Sequence, residues 1–573
     1  MSTFHPSDYQ KNNTYAQNQP NDPHQSPQES PTQGAQSTPF GQTSQNPYTG
    51  FNYQKNMFGD YSGSPYGMPT QKPKPIYKGV DTLFAWLSIV VCFLLVRSFP
   101  VVENTLGGVL TTLLLFGFAT CYLLVAKVTL MRKAIPIAVI ACLLSLGLIT
   151  GANHTIQRLI YLFTVAALLY YVYCLCGHAG KRALNDNFLS HATHAVFYQP
   201  FAKVDAFFLS LPIRRGNRIS TKVMRTIGWA ALGLLIAVIP TAVVILLLSY
   251  DDQFTELIKN IFSFSLDGVW EYLGDAILGF GIAMFLFSAL FSAKWKQELS
   301  HGEETKTNGT GCHIFPKALL CAAVTPILAV YLLFFISQGS YYLSAFTGTL
   351  PGDLTFAAYA RNGFFELCWV TAINTVMLIL FNALIRKKED ERGAIQKLYS
   401  TLIALFTLVL IATALSKMVL YIGSYGLTQK RVYASWLMLL LAAVFIAVLL
   451  AQFIKRIHLI PVAVALCVIF FALVALPDVD GMIASYNVDA YLSGELGDVD
   501  VDTIADYGVS SVPALVELKD ELGKRSFLST EDYEIIQKAE AALDEIKKEL
   551  SEQPDHIFTF NIPTARARAL LEE

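Results

Sequence analysis

The stretch YARNGFFELCWVTAINTVMLILFNAL, residues 359–384, indicates the fold class of the whole chain. Its apolar part is long enough to cross a membrane, because about 20 residues that rise 1.5 Å each span the hydrocarbon layer. A helix is the form expected of such a span, since it satisfies its own backbone hydrogen bonds in lipid. The stretch therefore predicts a transmembrane helix.

Polar residues interrupt this apolar run. Glu366 and Asn374 lie inside it and Arg361 comes just before it. A carboxylate in hydrocarbon costs about 2.5–3.5 kcal/mol on insertion scales, so Glu366 should face a protein interior or a wet cavity. Glu366 and Asn374 are about 80° apart around a helix and border one face. With Lys417 of a later run, which could pair with Glu366 as Arg361 could, they form the predicted polar core.

A second interpretation of Glu366 needs no transport function. The residue stands near the start of the predicted helix, where the helix dipole and the preceding Arg361 both favour a negative charge. Glu366 would then be an ordinary carboxylate at a helix end, and the sequence leaves both interpretations open.

The composition extends the membrane prediction to most of the chain. The 573 residues are 53% hydrophobic and 15% charged, whereas soluble domains carry about 25% charged residues. The formal net charge of −2 gives no reason to expect a nucleic-acid partner. Eleven apolar runs have spanning length: approximately 82–99, 106–126, 134–151, 156–176, 226–248, 273–293, 316–337, 363–385, 399–420, 432–453 and 458–476. We therefore expect an all-α integral membrane protein, a polytopic bundle of about eleven transmembrane helices over residues 79–476.

Lys and Arg residues set the expected orientation. They concentrate in alternate connections, which predicts a cytoplasmic N-terminus and an extracytoplasmic C-terminus in a cell membrane. The loop 177–225 combines recurring aromatic residues with Arg214, Arg215 and Arg218. This pattern is typical of a segment lying on an anionic leaflet, so the lipid bilayer is the expected partner there.

The two ends of the chain differ from the membrane block. Residues 1–78 are rich in Gln, Asn, Ser and Pro, which predicts a disordered cytoplasmic tail. Residues 477–573 are acidic, and Ser529 followed by Asp532 is a helix-start signal close to a capping box. Apolar residues at 3–4 spacing follow, so we predict a small helical extracytoplasmic domain. Both ends are possible sites for protein partners.

A family resemblance is carried by separated stretches in a fixed order. They are ARNGFFELCWVTAIN (360–374), KRVYASWLMLLLAAVFI (430–446), ASYNVDAYLSGELGDVDVDTIADYGVSSVPAL (484–515) and LPIRRG (211–216). The chain resembles the bacterial polytopic membrane proteins of the domain-of-unknown-function family 4173, to which the 4153 group is related. The likeness covers roughly residues 80 to 570. It implies a bacterial cell-membrane protein and brings no substrate, activity or catalytic residue.

Functional hypotheses must therefore come from the residues themselves. The polar core favours a transporter or permease with an unknown small-molecule or ion substrate. The alternative is a non-catalytic sensor or scaffold, with the external domain and the cytoplasmic tail as its interaction parts. An integral membrane transferase is a third alternative, but the usual catalytic motifs are missing from the sequence. We predict no catalytic residue, no metal site and no cofactor.

Overall fold

A computed structural model describes residues 77–98, 105–180, 182–211, 226, 233, 269–300, 317–347, 364–384, 393–454, 456–525, 527, 529–553 and 557–572. The regular elements in these ranges are all helices, which confirms the all-α class. The predicted tail, except for Tyr77 and Lys78, lies outside the described residues, as do Arg214, Arg215 and Arg218.

Eighteen α-helices are labelled in chain order within the described ranges. They are α1 Gly79–Ser98, α2 Thr105–Val125, α3 Ile135–Ser145, α4 Gly147–Thr150, α5 His154–Leu175, α6 Phe188–Thr193, α7 Val204–Ser210, α8 Val269–Ser300, α9 Lys317–Thr347, α10 Phe364–Leu384, α11 Ala394–Tyr425, α12 Gln429–Phe453, α13 Leu459–Ala475, α14 Val479–Leu492, α15 Val501–Ala505, α16 Val512–Gly523, α17 Thr530–Glu552 and α18 Ile562–Glu572.

Within the described residues, seven helical stretches are long and apolar enough to cross a membrane, or eight if the bent pair α13–α14 is one span. Two further helices, α9 and α10, carry shorter apolar segments, Cys321–Ile336 and Cys368–Leu380. Of the predicted run 226–248 only Thr226 and Gly233 are described, both in helical conformation. These helices are compatible with a multi-pass membrane protein, and the number eleven stays a prediction.

The apolar helices pack into two groups. The first group consists of α1, α2, α3, α5 and α8, with α7 packed on it, around a core that includes Phe84, Tyr122 and Phe287. The second group consists of α9 to α12, around a core that includes Ile403 and Phe445. In both groups large side chains fill the interior, while many Leu, Ile and Val side chains on the outer surface remain exposed, as lipid-facing residues are.

Helix α13 joins the two groups. The indole Nε1 of Trp436 on α12 donates a hydrogen bond to the carbonyl of Phe470 at 2.6 Å. The neighbouring Phe471 packs its ring on Phe163 of α5, with 5.6 Å between the centroids. Helix α14 then leaves α13 at an angle of 60° and begins the C-terminal region, residues 477–573.

The C-terminal region shares a hydrophobic core with the apolar helices of the bundle. Val109 of α2, Leu144 of α3 and Ile160 of α5 belong to the same buried cluster as Val488 and Leu515 of the C-terminal region. The ends of α2, α4 and α11 that meet this region are called here the C-terminal face of the bundle. The opposite end, where α1 begins and α8 ends, is called the N-terminal face.

Buried polar contacts hold the C-terminal region in place. The carboxylate of Asp480 accepts hydrogen bonds from Asn153 Nδ2 and Gln429 Nε2, both at 2.8 Å. The side chain of Asn487 bonds both the backbone N–H and the carbonyl of Leu427, at 2.7 and 2.8 Å. Gly426 beside it has φ +71°, and a Cβ there would lie 2.5 Å from Asn487 Oδ1, so a glycine is required at this position.

The predicted helix start at Ser529 is confirmed. Ser529 Oγ accepts a hydrogen bond from the Asp532 N–H at 3.0 Å, and Asp532 Oδ2 accepts one from the Ser529 N–H at 3.0 Å. This reciprocal pair is a complete capping box. The predicted amphipathic face is confirmed as well, because α17 buries one apolar stripe: Ile535, Ala539, Leu543, Ile546 and Leu550.

Removal of the cap should weaken α17. We expect Ser529→Ala to lower the stability of this helix by about 1 kcal/mol, since the Asp532 N–H loses its acceptor. The measurement is amide hydrogen exchange across α17. Ser551→Ala in the last turn is the matched control, because its exposed hydroxyl only bonds the carbonyl of Lys548 in the same helix. Equal loss of protection in both variants would contradict the capping role.

The cap should also respond to acid. Hydrogen bonds from the backbone and side chain of Ser529 lower the pKa of Asp532 below its ordinary value. The stability that the ionised carboxylate contributes is therefore present at neutral pH and is lost as the pH falls below about 4 and through the lowered pKa. We expect exchange protection in the first turn of α17, corrected for the intrinsic rate, to fall over that range. In Asp532→Asn this dependence should vanish, and its persistence would contradict the assignment.

Candidate functional site: a buried ion pair at the N-terminal face

Asp81 is the central residue of the site. It lies in the first turn of α1 and is 0% exposed. Its Oδ2 accepts a hydrogen bond from the backbone N–H of Lys78 at 2.8 Å, and the helix dipole also favours a carboxylate at this position. The start of α1 therefore fixes the carboxylate in one orientation, with Oδ1 directed to the neighbouring helices.

Two other helices supply the partners of Oδ1. Lys294, near the end of α8, places its Nζ at 2.6 Å, and the hydroxyl of Tyr122 on α2 donates a hydrogen bond at 2.8 Å. Lys294 is 2% exposed and Tyr122 is 0% exposed. The ion pair thus links α1 to α8 inside the bundle, and the hydrogen bond from Tyr122 adds α2 to the contact.

Aromatic rings surround the ammonium group. Lys294 Nζ lies 5.2 Å from the ring centroid of Phe291 and 5.9 Å from that of Tyr122. Tyr77 stacks on Phe291, with 5.3 Å between the centroids. Rings replace water around the charge and offer it only a weak cation–π attraction, so Asp81 is its main compensation.

The loop after α5 clamps the end of α8 around the ion pair. Gln199 Nε2 donates a hydrogen bond to the carbonyl of Ala289 at 3.0 Å, and the Lys203 N–H donates to Ser288 Oγ at 3.2 Å. His178 Nε2 lies 2.8 Å from the carbonyl of Ala293. Burial lowers the pKa of His178 to about 4, so the ring is neutral at pH 7 and its Nε2–H donates to that carbonyl.

Loss of the Asp81 carboxylate would leave the Lys294 ammonium buried without its counter-charge, and the ammonium would then need water or a new partner. Among the residues that the structure describes, no group of three His, Cys, Asp or Glu side chains is placed to hold a metal ion.

The predicted polar-core residue Asn374 lies elsewhere, in the second group. It is fully buried, its Oδ1 accepts a hydrogen bond from the Tyr331 hydroxyl at 2.5 Å, and its Nδ2 donates to Thr407 Oγ1 at 2.9 Å. The amide thus connects α10 with α9 and α11. Its partners are neutral, so this contact carries no charge of its own.

The other predicted residues are only partly described. Lys417 is fully buried in α11 and lies about 15 Å along that helix from Thr407, too far to belong to the Asn374 contact. Glu366 is in the first turn of α10, but its side chain lies outside the described residues, as does the whole of Arg361. A pairing of Glu366 with Lys417 or Arg361 therefore stays a prediction.

Asp81 and Lys294 are not among the site residues predicted from the sequence. Both stand at the ends of apolar runs, where a charge normally belongs to the adjoining loop. One signal was present: Lys294 follows the apolar segment FSALFSA (287–293) without a turn residue, so the helix continues through it. The partner of Lys294 is far away in the sequence, and no local pattern identifies it.

Loss of one partner should destabilise the bundle more than loss of both. We expect Lys294→Met or Asp81→Asn alone to lower the free energy of unfolding by about 3–5 kcal/mol, because each leaves the remaining charge buried without its counter-charge. The double variant should recover part of this loss. Thermal unfolding in detergent measures the three variants against the wild type. Strictly additive effects would contradict a coupled pair.

An exposed ion pair of equal length provides the control. Lys524 Nζ lies 2.6 Å from Glu521 Oε1, and both side chains are largely exposed to solvent. Lys524→Met should leave the unfolding temperature nearly unchanged, since water screens the charges that remain. A drop as large as that of Lys294→Met would show that loss of any lysine, and not burial of the pair, causes the effect.

Comparison with known proteins places the chain in a family. Searches of curated proteins and of solved structures found no match. A family model described as "Domain of unknown function (DUF4153)" matches residues 138–518, which is more than half of the chain and includes Lys294 but not Asp81. The resemblance to the related family 4173 stays an expectation. The chain belongs to the DUF4153 family.

Proposed function

We propose that this protein is a permease-like, multi-pass protein of the bacterial cell membrane in which the Asp81–Lys294 pair couples proton or ion binding to helix movement. The observation that carries the proposal is the fully buried pair between helices long enough to span a membrane. Ionisable residues inside membrane helices usually mark substrate or ion pathways, because an unused charge there is costly.

The energetics of the pair support two states. In the closed state each charge is compensated within hydrogen-bonding distance and water is excluded. Protonation of the carboxylate would leave Lys294 uncompensated, which favours a state in which the end of α8 moves away from α1 and admits water. The clamp by Gln199 and His178 would then move with α8 or release it.

Further polar residues inside the second group are compatible with this proposal. Asn374 and Lys417 are both buried within helices whose outer surfaces are apolar. We propose, in line with the distribution of Lys and Arg, that about eleven spans place the N-terminal face in the cytoplasm and the C-terminal face outside. The substrate would reach the Asp81–Lys294 pair from the cytoplasmic side.

Proton flux into liposomes tests the proposal. The full chain is reconstituted in vesicles that enclose the pH-sensitive dye pyranine, and an acid pulse is applied outside. We expect wild-type vesicles to acidify faster than empty ones, and Asp81→Asn to lower that excess rate by about tenfold or more. Glu521→Gln, which removes a charge from the exposed pair, should behave as the wild type. Equal rates for wild-type and empty vesicles would contradict proton coupling.

The same assay tests the prediction made from the sequence. If Glu366 takes part in transport, Glu366→Gln should abolish the flux while protein level and membrane insertion stay normal. Flux equal to that of the wild type would exclude a role of Glu366 in transport, and the Asp81–Lys294 pair would remain the proposed site of proton coupling. A variant that fails to accumulate would assign Glu366 a structural role.

A sensor or scaffold is the second candidate, and the C-terminal region favours it. Asp480 receives hydrogen bonds from Asn153 at the start of α5 and from Gln429 at the start of α12. A ligand or protein that displaced the C-terminal region would therefore act on both helix groups at once. A protein of this kind would show no flux in the vesicle assay.

A further inference from the structure

A row of exposed apolar side chains lies between the end of α17 and the first residue of α18. Ile557, Phe558, Phe560 and Ile562 are 72%, 51%, 49% and 48% exposed. Isolated apolar residues are common on protein surfaces, but a cluster of two aromatic and two branched aliphatic side chains usually marks a contact surface. These residues, 557–562, are called here the apolar strip.

Three hydrogen bonds fix the strip against the C-terminal face of the bundle. Thr105 Oγ1, at the first residue of α2, donates to the carbonyl of Phe560 at 2.6 Å. Asn561 Nδ2 donates to the carbonyls of Leu148 and Gly151 at 3.1 and 3.0 Å, and Asn561 itself is buried. The strip is therefore held at the ends of α2 and α4, and its exposed side chains do not belong to a loose terminus.

The position of the apolar strip along the axis of α2 indicates the depth in a bilayer at which its side chains would lie. Leu110 and Leu113 on α2 are 46% and 49% exposed and belong to the outer surface of an apolar helix. Leu110 lies only about 8 Å along the helix from Thr105, which contacts Phe560. The strip thus lies beside the first turn of α2, at the level where this apolar helix begins, and aromatic residues favour that level of the bilayer.

A positive charge lies next to the strip. Arg566 is exposed and stands one turn after Ile562 on α18, so the two side chains share a helix face. A basic side chain beside apolar anchors suits a leaflet with anionic headgroups, because the apolar groups enter the acyl region and the charge stays with the phosphates.

We propose that the apolar strip is an interfacial anchor that inserts into the phospholipid leaflet at the C-terminal face. The C-terminal region would then rest on the membrane surface and would not extend away from it. The inference rests on the membrane location in the proposed function but not on transport, so a protein without flux can still have this anchor.

Photo-crosslinking in liposomes tests the anchor. The photoreactive residue p-benzoylphenylalanine replaces Phe558 in the full chain, reconstituted in vesicles of phosphatidylcholine and phosphatidylglycerol. Mass spectrometry after illumination measures the yield of phospholipid adducts. The same substitution at Leu113 is the lipid-facing reference. Tyr533 is the control for the aqueous side, because it is exposed on α17, which packs on α15, α16 and α18.

We expect the yield of lipid adduct at Phe558 to be within about threefold of that at Leu113 and at least about tenfold above that at Tyr533. A Phe558 yield as low as that at Tyr533, with Leu113 labelled, would overturn the anchor while leaving the membrane location intact. Adducts of Phe558 with a second chain in place of lipid would also overturn it. An unlabelled Leu113 would overturn the membrane location on which the anchor depends.

Discussion

The packing of the first helix group depends on charge compensation inside an apolar environment. Asp81 and Lys294 are each deprived of water, and the 2.6 Å contact between them, with the Tyr122 hydroxyl at 2.8 Å, replaces it. Coulomb attraction at this distance is strong in a low dielectric, but it only offsets the cost of dehydrating both groups. The pair therefore adds less to total stability than to specificity: it selects one arrangement of α1, α2 and α8.

A different kind of contact holds the C-terminal region. Asn153, Asn487 and Asn561 are side-chain amides that bond the ends of helices or the connections between them, where backbone groups have no partner within a helix. The bundle thus uses an ion pair at its N-terminal face and side-chain amides, two of them bonded to the Asp480 carboxylate, at its C-terminal face. Apolar packing alone would leave these helix ends unsatisfied in both places.

The features that sequence analysis predicted are those that have a local pattern. Long apolar runs predicted the helices, and the spacing of Ser529 and Asp532 predicted the capping box, because both depend on residues within one helix. The partnership of Asp81 with Lys294 could not be predicted in this way. It depends on which helices become neighbours, and both residues stand where a loop charge is expected.

The continuous core between the bundle and residues 477–573 escaped prediction for a related reason. The acidic composition after Leu476 suggested a separate domain. Val488 and Leu515 are nevertheless fully buried, in one cluster with Val109 and Ile160 of the bundle. Average composition describes the solvent side of such a segment well, but it gives no information on the smaller surface that is buried.

The connection of both helix groups to Asp480 has a consequence for any mechanism. Its carboxylate bonds Asn153 of the first group and Gln429 of the second, and each hydrogen bond to a charged group contributes about 1.5–3 kcal/mol. Movement of one group at this face must stretch a buried contact with the other, so the C-terminal face is the side that resists separation. A sensor that received its signal at Asp480 would pass it to both helix groups at once.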